Sequence, residues 1–105
     1  MKLNTYNLSG WKEGKIKRQK KIGDKRILLL SIDRTVYPPI EGRKNLIAIN
    51  EEDEIIWIAA LPTEVYDSYI EMKYINGIIR AESSNSFVSE INPDTGVIIN
   101  MYMVK

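Results

Sequence analysis

The chain contains no cysteine and no histidine among its 105 residues. Without cysteine there is no disulfide and no thiolate metal site, and a reducing compartment fits better than an oxidising one. Without histidine the commonest general base, the commonest metal ligand and every His-containing triad are missing. Serine and threonine have no imidazole to deprotonate them, and no Gly-rich phosphate loop occurs. The composition therefore reads as non-enzymatic. A pair of carboxylates such as Asp33 with Asp67 is the one acid–base arrangement left formally open. No apolar run approaches the length that crosses a bilayer, and the first ten residues lack the apolar centre of a signal peptide. The expectation is a cytoplasmic protein with no cofactor and no metal.

The charges that are present are unevenly placed. Residues 1–26 hold nine basic and two acidic side chains, and residues 27–105 hold six basic and twelve acidic ones, giving +7 and −6 within a net charge of +1. Such asymmetry poses a question about partners. The length predicts a single domain, 1–105, with the polar segment 1–14 set apart as a flexible N-terminal stretch carrying Tyr6, Leu8 and Trp11.

Two stretches organise the rest. Asn45–Ala60, NLIAINEEDEIIWIAA, places the wholly polar Glu51–Glu54 between two runs rich in isoleucine. β-branched and aromatic side chains suit a pleated surface, so this reads as a hairpin. Ser86–Asn100, SFVSEINPDTGVIIN, repeats the phrase. Ile49-Asn50 aligns with Ile91-Asn92 and Ile55-Ile56 with Ile98-Ile99, an offset of 42 to 43 residues. Pro93 presets a type I turn and Gly96 accepts φ > 0. The first copy has no glycine there, and Asp53 is the residue expected to adopt the left-handed conformation.

An offset of this size with strand hairpins is the spacing of propeller blades. Asn76–Asn100, NGIIRAESSNSFVSEINPDTGVIIN, resembles the repeat of PQQ-like β-propellers, and Asn45–Trp57 resembles the end of such a repeat, including its closing tryptophan. Small bacterial proteins that carry this blade pattern alone are similar. The likeness spans about residues 26–102 and implies architecture. A closed propeller needs at least four blades, and this chain has room for about two, so it implies no PQQ site.

The remaining strands follow from pattern. Lys15–Ile22 reads as a lysine-protected edge strand, with Ile16, Arg18, Lys20 and Ile22 on one face. Arg26–Asp33, RILLLSID, reads as a central strand covered on both faces. Asp33–Lys44 is an inserted loop stiffened by Pro38-Pro39. In Tyr69–Ile75, alternation puts Tyr69, Glu71, Lys73 and Ile75 on one side. Asn76-Gly77 is a type I′ hairpin signal. The expected fold is all-β: an antiparallel meander of about eight strands, as two blade-like sheets or one twisted sheet, with little or no helix.

Three constellations bear on function. Arg34, Tyr37 and Arg43 on the inserted loop, with Tyr66, Asp67 and Tyr69 on the next link, are of the types that carry interface energy. They also match ordinary loop composition. The basic segment 12–26, through Trp11, Lys15, Lys17, Arg18, Lys20 and Lys21, can contact a nucleic-acid backbone and stack on a base. It reads more readily as a solvated edge whose lysines prevent aggregation, or as a positive strand complementing the acidic remainder of its own fold. The turn Glu51–Glu54 lacks the spaced ligands of a calcium loop. The reading is a non-catalytic binding protein acting on a protein partner, by analogy of the immunity-like or phage-inhibitor kind. Its action would be occlusion or strand addition, with a homodimer through an exposed edge as a secondary expectation. Nucleic-acid binding through residues 12–26 is one alternative. Sequestration of a small anionic ligand such as a nucleotide, through Arg34 and Arg43, is the other.

Overall fold

RILLLSID lies where a strand with two covered faces belongs. In the computed structural model, which describes residues 11–32, 43–63 and 67–104, it becomes β2 (Lys25–Ile32), an inner strand of a four-stranded antiparallel sheet. The sheet's other strands are β1 (Trp11–Ile22), β3 (Leu46–Ile49) and β4 (Ile55–Ile58), in the order β1-β2-β3-β4. A second antiparallel sheet has the order β5-β6-β7-β8, built from β5 (Tyr69–Ile75), β6 (Ile78–Ser83), β7 (Phe87–Ile91) and β8 (Ile98–Met103). No helical element lies wholly within the described residues. The all-β meander is thus the fold, as two sheets rather than one.

The core lies between the sheets. Ile27, Leu29, Leu46, Ala48, Trp57 and Ala59 of the first sheet meet Tyr69, Ile79, Ala81 and Ile91 of the second. Leu28, Leu30, Ile47 and Ile49 point the other way and form a second buried cluster. Burying one such aliphatic side chain stabilises by roughly 1.5–3 kcal/mol.

The turns take the expected conformations. Asp53 has φ 60°, Asn76 and Gly77 have 52° and 79°, and Gly96 has 75°. Both repeat turns open on an asparagine whose Oδ1 accepts from the amide two residues on: Glu52 N at 2.9 Å from Asn50, and Asp94 N at 2.8 Å from Asn92. Both carry the same bulge, because Ile49 faces Ile55 while Ala48 faces Trp57, and Ile91 faces Ile98 while Glu90 faces Asn100. Ile56 and Ile99 are the extra residues, and both are exposed. The repeat is therefore structural down to its irregularity.

Equivalent faces do not meet. Ile91 points at the first sheet, whereas its counterpart Ile49 points away from the second. The two units stack head to tail, each presenting a different side to the junction. Trp57 fastens that junction. Its indole Nε1 donates to Pro93 O at 2.9 Å, and a Cβ built on Gly96 would lie 2.6 Å from the ring.

Two alternation patterns fail, for one reason. A register shift between Ile16 and Arg18 puts Ile16 opposite Leu30, 42% exposed, while Ile22 packs on the inter-sheet core. Ile16 and Ile22 therefore face opposite ways. A shift between Tyr69 and Glu71 likewise turns Tyr69 into the core, away from the side of Glu71 and Lys73. A bulge inserts one residue and inverts every side chain before it.

Candidate binding surfaces

Of the six loop residues proposed as a contact patch, Arg34, Tyr37 and Tyr66 lie outside the described residues. Arg43, Asp67 and Tyr69 are inside the protein, at 8%, 1% and 2% exposure. They belong to an interior joint and offer no face to a partner in this arrangement. Asp67 Oδ1 accepts from Ser68 N, Ser84 Oγ and Asn85 N at 2.9–3.0 Å, and Oδ2 accepts from Thr63 Oγ1 at 2.9 Å. A carboxylate with four donors ties the entry to β5 to the turn between β6 and β7, as a buried charge requires. Asp33, its suggested catalytic partner, lies outside the described residues.

Beside it, the Asn45 side chain joins the sheets. Its Nδ2 donates to Leu30 O at 2.7 Å and Tyr69 O at 2.8 Å, and its Oδ1 accepts from Tyr69 N at 2.9 Å. The Tyr69 hydroxyl donates to Ala60 O at 2.6 Å. Burial pushes that phenol up to about 12, and the Asp67 carboxylate adds to the rise. Sequence reading passed over Asn45. Its only signal was an asparagine at the head of an otherwise apolar strand.

The basic segment lies along β1, an edge of the first sheet, as expected. Trp11 and Lys15 are in the strand, with side chains outside the described set. Lys17 Nζ donates to Ile70 O, and Arg18 pairs with Glu71 at 3.1 Å. Lys25 pairs with Asp94 at 2.9 Å and Arg26 with Asp53 at 3.2 Å. Part of the positive charge thus answers the acidic remainder of the fold. Lys20 and Lys21 are exposed. Asp53 shows the acidic turn in use as a local ion-pair partner.

The edge strand β8 of the second sheet is different in kind. Among the described residues β8 pairs only with β7, and none of them pairs with its outward edge. Val97, Ile99, Met101 and Met103 are 60%, 57%, 48% and 64% exposed, and Tyr102 is exposed beside them. Residues 97–104, VIINMYMV, carry no charge. The sequence marked this stretch as a strand but did not single it out as a surface.

Among the described residues no group of three or more Asp or Glu side chains is placed to hold a metal ion. No helix among them is long and apolar enough to cross a membrane. No protein-family model matches the chain, and no curated protein matches it.

Proposed function

We propose that the chain is a non-catalytic binding protein that engages a partner protein by strand addition at β8. One observation carries this reading: an edge strand, unpaired on its outward side among the described residues, that leaves four large apolar side chains in solvent, with Val97 just before it, and has no charge to repel an incoming strand. Natural sheets blunt free edges with lysine, proline or cover. The edge strand β1 is blunted in that way, and β5 carries Glu71 and Lys73. An extended segment alongside β8 gains main-chain hydrogen bonds from the edge, with specificity from side-chain contacts to Met101 and Met103.

The class of action is occlusion, as an immunity-like or inhibitor-like protein acts. The two head-to-tail sheets are read as two blade-like units of the PQQ-like propeller kind, without its cofactor. The repeated Asn-led turns and the docking of Trp57 on Gly96 support that reading. The missing cysteines suit a cytoplasmic setting.

The test is affinity capture from the native host with the wild-type chain and an Ile99→Lys/Met101→Lys variant. Both positions are exposed, so the variant folds. Loss of a specific partner with the variant supports the reading, and equal recovery of every partner by both forms sinks it. Sedimentation of the purified chain shows whether that partner is a second copy.

A further inference from the structure

A cleft of about 130 Å³ opens between the sheets where β1 faces β5. It is independent of the β8 edge. Its size is close to the ~150 Å³ apolar cavity that accepts a benzene ring. Its floor lies over Ile27 and Ile79 of the core, and its accessible apolar wall is Ile22, Met72 and Tyr74. Arg18, Lys20 and Lys73 also line it, and no carboxylate does. Arg18 is held by Glu71 at 3.1 Å. Lys20 forms no ion pair among the described residues, whereas Lys73 lies opposite Arg80 in the ladder and turns its side chain to the outward face. One cation with no ion pair, Lys20, therefore stands at a notch with an apolar wall.

We propose that this cleft binds a small organic anion with a single-ring or branched apolar body, in the class of aryl and short branched carboxylates. The ring lies against Ile22, Met72 and Tyr74, and the carboxylate meets Lys20. Lys20, which pairs with no acid among the described residues, favours an anion over a neutral molecule of equal shape. The apolar wall favours an aryl carboxylate over a bare one.

The probe set is benzoate, benzyl alcohol and acetate, titrated into the ¹⁵N-labelled full chain at fixed ionic strength. Benzoate is expected to give saturable shifts at Lys20, Ile22, Met72 and Tyr74. Benzyl alcohol and acetate are each expected to bind at least about threefold more weakly, the scale of one exposed charge contact. Lys20→Glu keeps the fold, because Lys20 is exposed. It is expected to weaken benzoate while leaving benzyl alcohol unchanged. Met101→Lys on β8 leaves benzoate binding intact. Absence of saturable shifts, shifts scattered away from the cleft, or benzyl alcohol binding as tightly as benzoate would each overturn the proposal.

Discussion

Asn45 commits both ends of its amide to backbone groups of the two sheets. Asn45→Ala strips three hydrogen bonds from buried groups and is expected to cost about 2–4 kcal/mol in urea unfolding. Asn45→Asp keeps the acceptor for Tyr69 N but sets a carboxylate against two carbonyl oxygens. It should therefore be less stable at pH 7 than at pH 4, and equal stability at the two would contradict the assigned bonds. Tyr69 gives a second pH signal. Its phenol is at about 12 when folded and at its ordinary 10.0 when unfolded. The folded state holds the proton more tightly, so its contribution is intact below pH 10 and is lost as pH rises towards 12. The loss is about 2–3 kcal/mol. Tyr69→Phe abolishes that part of the alkaline decline, seen as a smaller difference between unfolding at pH 9 and at pH 12. Neither residue was legible as structural. A buried Asn looks like a turn residue, and Tyr69 looked exposed because its strand alternates with Glu71 and Lys73. One bulge residue, Ile70, separates the pattern from the fact.

The element that joins the repeats is a ring on a glycine. Gly96→Ala sets a methyl 2.6 Å from the Trp57 ring and keeps a φ of 75°. It is expected to cost more than about 2 kcal/mol. With Trp57→Ala the clash disappears, and Gly96→Ala should cost only the ~1–2 kcal/mol of a left-handed alanine. A double-mutant cycle by thermal or urea unfolding measures the coupling, and additive costs would mean that the ring does not rest on the turn. Asp53→Gly is a milder case. It relieves a left-handed φ but loses the exposed pair with Arg26, so its stability should stay within about 0.5 kcal/mol of wild type. At this scale the sequence was most readable. Turn chemistry is local, so Asp53, Asn76-Gly77 and Gly96 declared their conformations. The bulges at Ile56 and Ile99 did not, since nothing in an isoleucine pair says which of the two will be left unpaired.

Across the whole molecule, head-to-tail stacking decides where growth stops. The second sheet's outward side carries Lys73, Arg80, Glu82 and Glu90, with Arg80 and Glu90 paired at 3.5 Å. Asn100 occupies the place that Trp57 fills in the first unit, and it donates to Glu90 at 3.2 Å. A third unit docking on that side would find charge and, among the described residues, no ring in the place of Trp57. The inter-sheet core serves both sheets, beside the separate cluster on the first sheet's other face. The consequence is a single cooperative unit. Leu29→Ala, in the first sheet, should cost about 2–5 kcal/mol. That cost should appear undiminished in the second sheet, as faster amide exchange at Ile79 and Ala81 by the same factor as at Leu46 and Ala48. Trp57 fluorescence and far-UV circular dichroism should trace one coincident transition. Exchange in β6 that ignores Leu29→Ala, or two separated transitions, would mean that the sheets fold apart and that the docked ring, rather than the shared core, holds them together.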